Sequence, residues 1–196
     1  ESDPDPRVAH AARAGSAALE GAAESPAPAP RASRVPARLD SLPRIDLGLV
    51  RVRLVTRHGE AILELDGDRF PRTVGNFLRL VDDGFYHNGV FHRVVPAFVV
   101  QGGCPRGDGW GDAGWFLPCE YGDLRYDDAG VVGMAHAGKD PGGSQFFITH
   151  LPVPRLDGRY TAFGRVVQGM WAVNRIVRGD TFRIERLEPA ALPASR

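Results

Sequence analysis

The sequence predicts an all-β fold, a closed antiparallel barrel that also carries two helices. Three observations lead there. About eight runs alternate apolar and polar residues at the two-residue period that a pleated strand imposes. Two further runs repeat apolar residues every three or four positions, as one face of a helix does. Strands follow strands, with no βαβ alternation, which argues against a parallel sheet. The 24 Gly and 16 Pro among 196 residues supply many turns. A strand-dense chain of this kind avoids exposed sheet edges by closing on itself.

The elements follow in order from Leu49. Val50, Val52, Leu54 and Thr56 alternate with Arg51, Arg53, Val55 and Arg57, His58-Gly59 is a turn, and Ala61-Ile62-Leu63-Glu64-Leu65 returns as the second strand of a hairpin. Residues 71–81 read as a helix. Pro71 fits its first turn, Val74, Phe77, Leu78 and Val81 share a face, and Gly84 ends it. Strands are expected near 90–95, 97–102, 131–135, 145–149 and 162–167. A short helix is expected over 169–177 with Met170, Val173, Ile176 and Val177 inward, and a last strand over 182–187.

The flanks differ from this body. In residues 1–24, an Asp-Pro-Arg-Val start (Asp5 to Val8) with spaced alanines is similar to the second helix of a HEAT-type repeat; a lone solvated helix or a disordered segment is the alternative. Pro26, Pro28, Pro30 and Pro36 make 25–48 an extended linker. The body spans 49–188, and 189–196 form a tail. Residue 1 is Glu and no secretory segment follows it, so the chain is read as an excerpt or a processed product, with its compartment left open. Formal net charge is zero, which gives no ground for a nucleic-acid or anionic-membrane partner. No apolar run reaches the roughly eighteen residues of a membrane-spanning helix.

Two runs break the strand rhythm with chemistry. Phe91-His92-Arg93-Val94-Val95-Pro96-Ala97-Phe98-Val99-Val100-Gln101-Gly102-Gly103 places a guanidinium, an aromatic ring and a carboxamide within nine residues. Gly143-Ser144-Gln145-Phe146-Phe147-Ile148-Thr149-His150 follows, and then Leu156-Asp157-Gly158-Arg159-Tyr160-Thr161-Ala162-Phe163-Gly164-Arg165-Val166. In residue type, order and spacing these three segments resemble the signature segments of cyclophilins, the peptidyl-prolyl cis-trans isomerases. The resemblance runs over residues 49–188. It implies an eight-stranded antiparallel barrel whose two open ends are capped by the two helices, with an active site outside the barrel on one face.

The chemistry asks for little machinery. An X-Pro bond rotates over a barrier of about 18–20 kcal/mol because resonance gives its C–N bond double-bond character. No covalent bond is made or broken, so no nucleophile, metal or cofactor is required, and none is expected here. The catalyst needs an apolar pocket for the proline ring and a donor for the prolyl nitrogen, whose lone pair becomes available as the amide twists. A donor that helps the twisted amide alone stabilises the transition state selectively. A planar, five-donor guanidinium suits that task better than an ammonium.

The resemblance assigns that role to Arg93, with Gln101 binding substrate backbone and orienting Arg93. Phe98, Val99, Phe147 and Leu156 are expected to line the proline pocket. Ala135 and His136 would bind the extended peptide through backbone groups, and Gln145 would add a polar contact. The expected partners are proline-containing peptides and unfolded proteins, with folding assistance as the role and a monomer as the state. A proline-binding module without turnover, tethered to a repeat scaffold, is the alternative. Where this chain has Val99, His136, Arg155 and Tyr160, many members or the better-known eukaryotic ones have Met, Asn, Trp and His. Losing the indole at Arg155 implies weak cyclosporin binding.

Other motifs fall short. Gly133-Met134-Ala135-His136-Ala137-Gly138-Lys139-Asp140 nearly spells a phosphate loop, but Asp140 stands where a hydroxyl must hold magnesium, and Pro141-Gly142-Gly143 breaks the following helix. Cys104, Cys119 and six histidines show no paired zinc-ligand spacing. Ser144 and His150 lack a placeable acid and oxyanion loop for a hydrolase. Cys104 and Cys119 bracket a Gly- and Asp-rich excursion; a disulfide between them and two free thiols both stay open.

Overall fold

The structure, a computed structural model, describes residues 47–115, 117–136 and 143–187. The HEAT-like segment, the linker through residue 46, Lys139–Asp140 of the near phosphate loop and the 189–196 tail lie outside the described residues. Nine strands form one antiparallel sheet: β1 (Leu49–Thr56), β2 (Gly59–Asp66), β3 (Gly89–Val90), β4 (Arg93–Val95), β5 (Val99–Gly102), β6 (Val131–Met134), β7 (Phe146–Thr149), β8 (Ala162–Gln168) and β9 (Thr181–Arg186). Helices α1 (Pro71–Asp82) and α2 (Met170–Val173) complete the body. The sheet order is β3-β9-β1-β2-β8-β6-β7-β5-β4.

The two ends of that order, β3 and β4, are neighbours in the chain, separated by Phe91 and His92 alone. The expected strand over 90–95 is thus one kinked run that pairs with β9 through its first half and with β5 through its second. The break follows from partners: Phe91 donates its amide to Asp180 and accepts from Gly179, while Arg93 already pairs with Gln101. The curled sheet closes through this covalent joint, and eight expected strands become nine.

The β1–β2 hairpin runs in register from Leu49↔Asp66 to Thr56↔Gly59. The Thr56 hydroxyl donates to Gly59 O and accepts from His58 N, which closes the turn. Gly59 has φ 127°, a backbone conformation that favours glycine, and it lies under the exposed Trp171 indole. Asp180, buried just before β9, ties this turn down through His58 (2.7 Å), Arg57 (2.8 Å) and the Val177 amide (2.9 Å). Burial alone would raise its carboxyl; the Val177 amide, His58 and Arg57 outweigh that and hold it below the usual range.

Helix α1 begins at Pro71 as expected, but the carboxylate at its N-terminus comes from elsewhere. Glu120 accepts from Arg72 N, Thr73 N and the Thr73 hydroxyl at 3.1, 2.7 and 2.6 Å. These amides have no partner within the helix, and a negative charge suits that end of the dipole. The second helix is shorter than its pattern suggests. After Val173, single turns (Arg175 N to Ala172 O, Ile176 N to Val173 O) replace helical bonding while keeping Ile176 buried.

The barrel interior is a packed core, not a channel. Phe77, Tyr86, Phe91, Phe146, Phe163 and Phe182 meet there ring to ring, several edge to face. A second apolar cluster lies on the outer face: Val99, Tyr126, Val131, Ala135, Phe147, Val153, Leu156 and Ala162, with Phe98, Leu124 and Tyr160 at its margin. The site is built there.

Candidate active site

Strand pleat decides which residues leave the core. Along β5, Val100 points in and Val99 out; along β7, Phe146 and Ile148 point in and Phe147 out; along β8, Phe163 points in and Ala162 out. Consecutive phenylalanines thus serve opposite faces. Register then aligns Arg93 (β4), Gln101 (β5), Phe147 (β7), Gly133 (β6) and Ala162 (β8) as one lateral row across five strands. Sequence positions 93 to 162 become side-by-side neighbours.

The polar end of the row is an ordered relay. Arg93 Nη1 donates to Gln101 Oε1 at 3.3 Å, and Gln101 Nε2 donates to Gln145 Oε1 at 3.1 Å. Gln145 Nε2 donates to the carbonyls of Gly109 and Gly111 at 2.9 and 2.8 Å. Arg93 itself is exposed, so its remaining donors face solvent. Its guanidinium also lies 5.7 Å from the Phe98 ring centre. Phe98 sits in a turn closed by its own amide to Val95 O, and its carbonyl accepts from His150 N. Ala97, just before it, carries the turn with φ 58°.

The apolar end is a floor of rings. Phe147 stacks on Tyr126 (5.7 Å) and meets Tyr160 edge-on (5.6 Å, 90°). It lies over Gly133, where an added Cβ would come within 2.3 Å of its Cζ. Val99 and Leu156 are buried beside it. Arg155 stands over the Phe98 ring at 4.4 Å, so the rim there is cationic. His136 stacks on Tyr160 at 4.4 Å and its Nε2 pairs with Arg159 O. Ala135 donates its amide to Gln145 O.

Residues 51–191 match the family model described as cyclophilin type peptidyl-prolyl cis-trans isomerase/CLD. The chain belongs to the cyclophilin family. Peptidyl-prolyl cis-trans isomerase B of Bacillus subtilis is 48% identical over 126 residues, 64% of this cyclophilin and 88% of that protein. A peptidyl-prolyl cis-trans isomerase of Synechococcus elongatus is 50% identical over 129 residues, covering 65% and 88%. A crystal structure of a cyclophilin-type isomerase of Cryptosporidium parvum, determined in the presence of the dipeptide Ala-Pro, superposes with a TM-score of 0.66 at 32% identity, covering 71% of this chain and 99% of that one. The activity is accordingly cis-trans exchange at X-Pro bonds in protein substrates, and the family binds proline-containing peptides.

The structure brings Arg93, Gln101, Gln145, Phe98, Val99, Phe147, Leu156, Tyr160, Ala135, His136 and Arg155 onto one face of this cyclophilin. Sequence reasoning missed the residues beneath it. Asn76 donates to Gly143 O (2.6 Å) and accepts from the Trp115 indole (2.8 Å); Tyr86 donates to Ser144 O, and Ser144 to Gly103 O. These bonds anchor the segment that leads into Gln145. Asn76 did leave a signal, an amide flanked by the apolar positions of α1. Tyr126 left none: its hydroxyl is buried without a hydrogen-bond partner among the described residues, and burial, then the Asp157 charge, pushes the phenol far above its ordinary range.

Of the two cysteine alternatives, the structure has the free thiols. Cys104 is buried, its sulfur accepting from Gly109 N and Gly111 N at 3.2 Å each, while Cys119 lies half-buried beside Tyr121.

Proposed function

We propose that Arg93 is the catalytic donor of this isomerase and that Phe98, Val99, Phe147 and Leu156 receive the proline ring. The observation that carries this reading is the placement of an exposed guanidinium, fixed by Gln101 Oε1, at the margin of an otherwise apolar cluster. A proline seated against the floor puts its nitrogen next to Arg93. The planar amide offers that nitrogen no lone pair; the twisted amide does, so the hydrogen bond strengthens as the barrier is climbed. Fixing Arg93 beforehand removes reorganisation from that step. Ala135 and His136 align the peptide chain through backbone groups, and Gln101 and Gln145 add polar contacts. The substrates are flexible or unfolded chains, since an X-Pro bond must be reachable and free to rotate.

The balanced charge of the chain supports a protein substrate over nucleic acid or an anionic membrane, and a monomer suffices because every proposed contact comes from one chain. The test is exchange NMR or a protease-coupled assay on a proline tetrapeptide. Arg93→Ala should lower turnover at least about tenfold, a loss near 1.4 kcal/mol of transition-state stabilisation, with the domain still folded. Unchanged turnover would place the chemistry elsewhere; peptide binding with no turnover in the wild type would make the face a binding module.

A further inference from the structure

The relay that ends on Arg93 has a polarity, and something must set it. A carboxamide can flip, exchanging its oxygen for its NH2 at almost no cost in shape. If Gln145 turned over, it would present NH2 to the Gln101 NH2. Gln101 would then have to flip as well, and its NH2 would meet the guanidinium it now accepts from. What forbids the flip is the pair of carbonyls at Gly109 and Gly111, which accept both Gln145 Nε2 protons. Those carbonyls belong to the 105–111 loop, which has no strand or helix bonding of its own.

We propose that Cys104 is a positioning residue for the isomerase reaction, its sulfur shaping this loop so that the two carbonyls face Gln145 and, through Gln145 and Gln101, aim Arg93. The sulfur accepts from the amides of the same two glycines whose carbonyls hold Gln145. It also donates to Asp108 Oδ1 at 3.5 Å, an oxygen that takes the Trp110 amide at 2.8 Å. Asp108 is held in turn by Arg106 at 2.7 Å. One buried atom therefore gathers amides along the loop, and the opposite ends of the gathered residues point at the catalytic relay. Each of Gly109 and Gly111 is gripped by sulfur on one side and by Gln145 on the other. The inference rests on the assignment of Arg93 as the donor.

Three substitutions separate the acceptor from its packing. Cys104→Val fills the site without an acceptor, Cys104→Ala empties it, and Cys104→Ser keeps an acceptor in a smaller volume. Each is assayed for kcat and KM on the proline tetrapeptide, with side-chain amide NMR of Gln101 and Gln145. The valine and alanine variants should lose about tenfold in kcat with KM within roughly twofold, because the proline floor is untouched. Their Gln145 Nε2 resonances should shift and exchange faster, and the serine variant should restore both. In a Gln145→Leu background, Cys104→Val should cost less than roughly a further twofold, since both act through one path. A fully active valine variant with an impaired serine variant would overturn the proposal, since that pattern means packing alone; so would unshifted Gln145 resonances in the valine variant. The amide signals report independently of turnover. If wild type and Arg93→Ala turn over alike, the assignment of Arg93 fails, while the resonances still decide what Cys104 does to Gln145.

Discussion

Gly133→Ala is a one-carbon change that tests how the proline floor is built. The new Cβ would meet Phe147 Cζ at 2.3 Å, Tyr126 Oη at 2.4 Å and Phe147 Cε2 at 2.7 Å, whereas ordinary contact begins near 3.4 Å. The Phe147 ring must therefore withdraw by about 1 Å. It cannot slide sideways, because Tyr126 is stacked on it and Tyr160 abuts it edge-on. A ring that lifts instead enters the space proposed for the proline ring. Overpacking of this kind costs about 1–3 kcal/mol, which for a domain of this size lowers Tm by roughly 3–10 °C. Misplacing a positioning surface by about 1 Å costs up to roughly a hundredfold in kcat/KM. Circular-dichroism melting and the tetrapeptide assay read the two effects separately. The expected signature is a folded protein with weakened substrate binding and an intact Arg93 relay. Wild-type Tm together with kcat/KM within roughly twofold would show that Phe147 is not the floor.

Other expectations follow from single contacts. Glu120→Gln keeps an acceptor near the start of α1 but removes the charge, and should cost about 1–2 kcal/mol in urea unfolding; a loss below about 0.3 kcal/mol would mean that the carboxylate does not cap the helix. Burial lowers the imidazole pKa of His92, aided by Arg93, and burial lowers that of His150, from the ordinary 6.5. The unfolded chain therefore binds protons that the folded one refuses, so the stability these two histidines contribute is present above pH 6.5 and is lost as pH falls below it. A Tm rising from pH 7 to pH 5 would contradict this. Arg155→Trp replaces the guanidinium over Phe98 with an indole; fluorescence titration should find weak cyclosporin binding in the wild type and tighter binding in the variant, and nanomolar-range binding by the wild type would refute the role given to Arg155.

Local pattern carried the hairpin and the start of α1, because each is written in consecutive residues: alternation at 50–56 and Pro71 before a 3–4 repeat; the outer face with Arg93 and Gln101 came instead from the resemblance of three separate segments to one family. What it could not show depends on partners far along the chain. The kink at Phe91-His92 exists because one strand serves two neighbours, β9 and β5. The cap on α1 is Glu120, 47 residues beyond Thr73, and the Asn76 bond to Gly143 spans 67. Helix α2 stops early although its apolar spacing continues, since turns serve Ile176 equally well. At Cys104 the sequence offered two states without a means to choose, because the glycine amides that engage the sulfur carry no side chain to read.

The kinked strand also sets an order of events. Its first half can pair only when β9 exists, and β9 is the last strand of the sheet, at Thr181–Arg186. Its second half carries Arg93. On a ribosome, the chain therefore displays its guanidinium, its glutamines and its rings well before the seam beneath them can be sewn. The face that would turn the prolyl bonds of other chains can pair across its own five strands before β9 arrives to close the seam.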